Sequence, residues 1–186
     1  MGSQGTTALT LDDFLALCEA APPGVRYEAV GGRAVMTSAP SGYHQVAVWR
    51  LGRRIDDALP DDALIVMAPY DWVLWQVPTL TLRQPDLMVV SRDQLAQQPL
   101  RTPPAMVVEV LSPTTRAVDL RDKRTEYARA GARHYWIVDL DKPSVEALTL
   151  DTASGEYRPA AFAEGDYPLT VAQPFPISVT PSELLV

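Results

Sequence analysis

Cysteine is nearly absent from this chain of 186 residues: Cys18 stands alone, which excludes an internal disulfide and a metal site built from thiolates. Set among Leu15, Leu17 and Ala20, it reads as a small buried apolar side chain. A chain without disulfides suits a reducing cytoplasm. Long hydrophobic runs are missing too. The longest, such as Ala105-Met106-Val107-Val108, are strand-length and interrupted by charge, so none would span a bilayer. The opening Met1-Gly2-Ser3-Gln4-Gly5-Thr6-Thr7 lacks the basic and apolar regions of a signal peptide. It reads as a frayed tail over residues 1–8, ahead of one domain over residues 9–186. Repeats and low-complexity stretches are lacking. Lysine is scarce, with Lys123 and Lys142 set against fourteen arginines.

The net charge of -7 argues against a protein that coats nucleic acid without specificity. The charge is spread unevenly. Residues 139–186 hold eight acidic and two basic side chains, residues 116–133 hold six basic and three acidic, and Arg50, Arg53 and Arg54 form a second basic cluster. Either these are solvated helix faces, or together they leave room for a local phosphate-facing surface.

An apolar content of 47% suits a well-covered sheet. Thr10 and Asp13 form a capping-box pattern, opening a helix that carries Leu11, Phe14, Leu15 and Leu17 and ends before Pro22-Pro23-Gly24. Tyr27-Glu28-Ala29-Val30 and Arg33-Ala34-Val35-Met36, joined by Gly31-Gly32, predict a β-hairpin. Residues 43–59 place Val48, Leu51, Ile55 and Leu59 on one helical stripe. Strands are expected over residues 64–68, 72–76, 86–90 and 106–111. A charged helix over residues 117–130, closed by Gly131, leads to a strand over residues 134–139. So short a crossover predicts two parallel strands joined by a right-handed connection. Hairpins and a proline-rich finish follow from Val145 onward.

One residue breaks this pattern. Glu109 sits between Val108 and Val110 in a run that otherwise reads as buried on both faces. A carboxylate there costs several kcal/mol unless it is paired or holds a metal. Asp86 opens another apolar strand directly after Pro85. Should neighbouring strands bring the two to ~4 Å, their repulsion at an effective dielectric near 20 is about 4 kcal/mol. A shared proton, a basic side chain or a divalent cation would relieve it, and hard oxygen ligands suit Mg²⁺ or Mn²⁺. Taken singly, Glu109 is equally a structural ion-pair partner and Asp86 a turn residue. Lys123 on the next helix turns the balance for the set. In so arginine-rich a chain, a retained lysine points to something a guanidinium cannot do, such as losing its proton when desolvated or standing beside a metal-bound water. Its plainer role is an i,i+4 ion pair with Asp119.

These residues resemble the Uma family, bacterial proteins classed as restriction endonucleases within the PD-(D/E)xK nuclease superfamily. The resemblance rests on Tyr27-Glu28-Ala29-Val30-Gly31-Gly32, His44, Pro85-Asp86-Leu87-Met88-Val89-Val90 and, most specifically, Val107-Val108-Glu109-Val110-Leu111-Ser112-Pro113-Thr114-Thr115. Asp119, Lys123, Tyr127, Gly131 and Tyr135-Trp136-Ile137-Val138-Asp139 follow in order. It implies an α/β (α+β) restriction-endonuclease-like fold, a mixed central sheet flanked by helices with additional hairpins. In the wider superfamily the lysine lies two positions after the acid, here Leu111; the Uma pattern takes it from the following helix, as Lys123. Gly31-Gly32-Arg33 departs from the family's Asp-Gly-Glu turn.

The resemblance implies hydrolysis of DNA phosphodiesters, with Asp86, Glu109 and the Val110 carbonyl holding Mg²⁺ or Mn²⁺. Lys123 would act at the water or phosphorane, Glu28 would support the metal shell, and His44 and Tyr127 would be neighbours, His44 without an assigned role. Such nucleases often form homodimers, for which Trp49, Trp72 and Trp75 are candidate contacts or, equally, core. Two rival readings are a non-catalytic nucleic-acid- or partner-binding module and a metal-free hydrolase using Asp and His44.

Overall fold

The structure, a computed structural model, describes residues 8–186. The expected tail falls, apart from Ala8, outside the described residues.

Thr10 caps helix α1 (Leu11–Glu19) in the reciprocal way its spacing predicts: its hydroxyl accepts from the Asp13 amide, and its own amide donates to the Asp13 carboxylate. Leu11 and Phe14 on this helix pack on a four-stranded sheet. Its strands are β1 (Arg26–Val30), β2 (Arg33–Thr37), β4 (Trp72–Trp75) and β5 (Thr81–Arg83), in spatial order β2-β1-β5-β4. The hairpin turn between β1 and β2 has φ of 57° at Gly31 and 77° at Gly32, the left-handed pair that a primed turn requires. The three-residue β5 has too little length to show a period and is absent from the sequence reading, yet it joins β1 to β4.

The larger sheet has six strands in the order β10-β9-β8-β7-β6-β3. They are β3 (Ala63–Met67), β6 (Leu87–Ser91), β7 (Met106–Val110), β8 (His134–Asp139), β9 (Ser144–Asp151) and β10 (Glu156–Glu164). Only β7 and β8 run parallel; the other pairs are antiparallel. Met106, Val108 and Val110 pack on one side of the sheet against Ala47, Val48, Leu51 and Ile55 of helix α2 (Gly42–Asp56). Val107 and Leu111 pack on the other side against Trp72, Tyr127 and Tyr135. Helix α2 ends before Leu59, although Leu59 fits its stripe, because Leu59 precedes Pro60 and the proline ring disfavours helical backbone there.

The segment linking β7 to β8 is helical as expected, but its first part is a π turn, Val118–Lys123, continued by helix α4 (Arg124–Ala130). After the helix α3 (Arg92–Leu95) and this crossover, the chain finishes with β11 (Leu169–Val171), β12 (Ile177–Val179) and a 3-10 turn, Pro181–Leu184. The result is the mixed central sheet flanked by helices that the sequence implies. Among the described residues, no helix is long and apolar enough to cross a membrane.

Candidate functional site

Strand register brings the first two carboxylates together. In the antiparallel β6–β7 pair Leu87 lies across from Val108, so one further step places Asp86 opposite Glu109. Residues two apart share a face of a strand. Asp86 therefore faces with Met88 and Glu109 with Val107, which lie in the same core. The Asp86 side chain also accepts from the Val110 amide, Oδ2 to N 2.8 Å, which fixes it at the end of β7.

The crossover supplies the rest. Four residues overshoot one turn of an α-helix by about 40°. The wider π turn takes up that overshoot between Asp119 and Lys123. Asp119, Lys123 and Tyr127 thus stay on the buried side, 1%, 6% and 0% exposed. Lys123 Nζ stands 2.8 Å from Glu109 Oε1 and 3.0 Å from Asp119 Oδ1. Tyr127 donates its hydroxyl to the same Glu109 Oε1 at 2.6 Å. Lys123 therefore makes its plain ion pair with Asp119 and its contact with Glu109 at once.

Charge follows geometry. Burial drives the Glu109 pKa well above the carboxylate range; Lys123 opposes this, and the charges of Asp86 and Asp119 add to it. Burial pulls Lys123 down, but Glu109, Glu28 and Asp119 outweigh it and the net shift is upward. Of the two uses weighed for this lysine, the surrounding carboxylates favour the ammonium over loss of the proton. Asp119 is buried, and neither of its oxygens has an aligned hydrogen-bond donor, the close lysine included.

Glu28 lies beside the group, held by Arg83 and Gln84. Its Oε2 accepts from Arg83 Nη1 at 2.8 Å and its Oε1 from the Gln84 amide at 2.9 Å, so each oxygen is held by a donor from β5 or the residue after it. Burial raises its pKa, but Lys123 and Arg83 prevail and hold it low. Arg83 also grips Glu126 through Nε and Nη2, at 2.7 and 2.9 Å. Nothing in the sequence marks Arg83, because the strand that carries it is too short to read.

His44 lies beneath the other side of the same strand end. Its Nε2 stands 3.1 Å from Asp86 Oδ2 and 3.0 Å from the Val110 carbonyl oxygen. Burial pulls its pKa down, but these two acceptors and the nearby Asp119 charge raise it overall. Its Nδ1 is buried without a partner. With both ring nitrogens enclosed, the imidazole has no edge to present to a substrate, which speaks against a metal-free Asp–His hydrolase.

Asp86 Oδ1 and Glu109 Oε2 make no hydrogen bond among the described residues. With the Val110 carbonyl they form a set of hard oxygens that fits Mg²⁺ or Mn²⁺. The charge count fits as well: among the described residues, Glu28, Asp86, Glu109, Asp119 and Glu126 gather around two permanent cations, Arg83 and Lys123. Among the described residues no three His, Cys, Asp or Glu side chains cluster to hold a metal by themselves.

A family model described as Uma2, putative restriction endonuclease, matches residues 11–183. The chain belongs to the Uma2 family. Among solved structures, this Uma2 chain is similar to a putative nuclease belonging to DUF820 from Anabaena variabilis, with a TM-score of 0.68 at 16% identity over 95% of this chain and 97% of that one. That likeness shows the fold. No curated protein matches.

Part of the basic clusters of this Uma2 chain is ion-paired among the described residues. Arg54 pairs with Glu183, Arg116 with Asp139 and Arg121 with Asp122. Arg50 donates to the backbone oxygens of Glu183 and Leu185, and Arg53 lies over the Trp49 ring. Trp72 is core, Trp75 is half-buried beneath Arg129, and Trp49 is the exposed one of the three.

Proposed function

We propose that this Uma2 protein is a divalent-metal-dependent endonuclease that hydrolyses phosphodiester bonds in DNA. The observation that carries the reading is the 2.8 Å approach of Lys123 Nζ to Glu109 Oε1, with Asp86 across the β6–β7 pair on the same face. Acid, acid and amine arrive at one strand end from three separate segments. Asp86, Glu109 and the Val110 carbonyl would hold Mg²⁺ or Mn²⁺. The cation would supply Lewis acidity at the phosphate and a lower pKa for an attacking water.

The chain's own groups complete the chemistry. Tyr127 would fix the Glu109 carboxylate through Oε1 and leave Oε2 turned to the cation. Lys123, kept charged by Asp119 and Glu28 as well as Glu109, would stabilise the negative charge that builds on the phosphoryl oxygens. Glu28 would act on Lys123 through its charge, without touching the metal. DNA as substrate is supported by the description of the family as restriction endonucleases.

Plasmid cleavage in Mg²⁺ tests this. Lys123→Met and Asp86→Asn should each slow cutting by about 10²-fold or more. Mn²⁺ should raise the Tm of wild type and of Lys123→Met, and leave Asp86→Asn unmoved. Wild-type cutting by Asp86→Asn refutes the assignment. One observation favours a second reading, a non-catalytic binding module: the net charge of -7 disfavours tight hold on a duplex. That reading predicts no metal-dependent rise in Tm.

A further inference from the structure

His44 has a defined geometry and no part in the mechanism above. Ser41 caps α2, its Oγ accepting from the His44 amide at 3.2 Å. Farther along the same helix Ala47, Leu51 and Ile55 are locked in the core. The ring is therefore mounted on a rigid element and reaches the end of β7 from the face opposite Lys123. Its Nε2 meets two oxygens, Asp86 Oδ2 at 3.1 Å and Val110 O at 3.0 Å.

Carboxylate and carbonyl oxygens only accept, so Nε2 carries the hydrogen and donates to both. The other tautomer would put a hydrogen on Nδ1, which is buried with nothing to receive it. An imidazole that ligates a metal through one nitrogen normally donates from the other to a carboxylate, carbonyl or water, and among the described residues no such acceptor faces the buried Nδ1. We propose that His44 is a positioning residue of the cation site: its Nε2–H holds the Asp86 carboxylate and the Val110 carbonyl aimed at one point, and is not itself a ligand. Asp86 Oδ2 receives both this donor and the Val110 amide, at 2.8 Å. That saturates Oδ2 and leaves Oδ1, together with the second lone pair of the Val110 oxygen, for the ion. The set so prepared contains oxygen alone, the ligand type that suits hard cations such as Mg²⁺ or Mn²⁺.

The inference rests on the metal-site reading above, and Mn²⁺ titration separates the two. Wild type, His44→Phe (ring kept, donor lost) and His44→Gln (side-chain N–H kept) are compared by calorimetry, with metal-free circular dichroism as the check on folding. His44→Phe should weaken Mn²⁺ binding by about 10–100-fold, and His44→Gln should recover most of that loss. Pulsed electron paramagnetic resonance of the wild-type Mn²⁺ complex should show no directly coordinated nitrogen, a result that stands whether or not His44→Phe folds. Unchanged or tighter binding by a folded His44→Phe, or a coordinated nitrogen in wild type, overturns the positioning role and leaves the metal site standing. A wild type that binds no Mn²⁺ overturns both.

Discussion

Two groups of buried charge stand side by side in this protein, and they are built differently. Around Arg83 every carboxylate oxygen has a donor: Glu126 receives Nε and Nη2, and Glu28 receives Nη1 and the Gln84 amide. Around Lys123 the distribution is lopsided. Glu109 Oε1 takes both the ammonium and the Tyr127 hydroxyl, while Glu109 Oε2 and both Asp119 oxygens lack a hydrogen bond among the described residues. A satisfied buried network fixes structure, and a partly satisfied one is costly. The Arg83 group ties β1 and β5 to α4 as a finished joint. The Lys123 group keeps oxygens open to a proton or a further cation, and the proposed metal site rests on that difference.

The sharpest way to break this contrast is to remove Arg83. Arg83→Met strands Glu28 and Glu126, whose side chains are 8% and 16% exposed, without their cation. Loss of one partner from a buried pair costs about 3–5 kcal/mol, and urea denaturation should show a drop of that size. A drop under about 1 kcal/mol, the range of exposed pairs, would mean that the joint carries no weight.

Neutralising one glutamate in each group should then move stability in opposite directions. Glu28 has a lowered pKa, so its stabilisation is present above its usual value of 4.5 and is lost as pH falls through the lowered one. At pH 8 Glu28→Gln should cost about 2 kcal/mol, the worth of hydrogen bonds to a charged group, with a flatter acid limb. Glu109 has a raised pKa, so its contribution is complete below 4.5 and is lost as pH climbs to the raised value. Glu109→Gln in metal-free protein should therefore gain on the order of 1 kcal/mol at pH 8, since each tenfold change in proton affinity on folding is worth about 1.4 kcal/mol, and should lose any response to Mn²⁺. If both variants fall by the same amount in metal-free urea titrations across pH 4–8, the two groups are equivalent and the distinction fails.

How much of this is legible in the sequence varies with the physics behind each residue. Glu109 stands out because an acid in an apolar strand contradicts its own surroundings, and Lys123 because lysine is so rare in this chain. Asp119 is readable as the i,i+4 partner of Lys123, yet its complete burial is not, since that depends on a π turn that no local pattern of Val118–Lys123 announces. Arg83 is silent: a three-residue strand has no period, and its two carboxylate partners come from segments 43 and 55 residues away. The charge state of Lys123 escapes the sequence for a related reason. A lysine considered alone in a dry interior loses its proton, whereas this one has Glu109, Asp119 and Glu28 around it. The alternation of β6 and β7 is legible, and with it the face that Asp86 and Glu109 share. The fold follows from such patterns; the electrostatics needs neighbours that only the assembled chain supplies.

The finest test of the contrast is Tyr127→Phe. The ring stays where it is, packed 5.3 Å from Trp72 and 5.3 Å from Tyr135 by centroid, so the substitution removes little beyond one donor, the hydroxyl at 2.6 Å from Glu109 Oε1. Lys123 keeps hold of that same oxygen, so Glu109 is not stranded as Glu28 is when Arg83 goes. A loss of about 1 kcal/mol follows, the net worth of one hydrogen bond, and urea denaturation resolves it from the larger effects above. Mn²⁺ affinity should change by less than about tenfold, because the carboxylate loses an anchor at Oε1 but not the free Oε2. A loss of about 3 kcal/mol, as for a buried pair deprived of one partner, would place Glu109 in the same condition as the carboxylates around Arg83, wholly dependent on each donor it has. The Lys123 group would then be as closed as its neighbour, with no oxygen to spare for an ion.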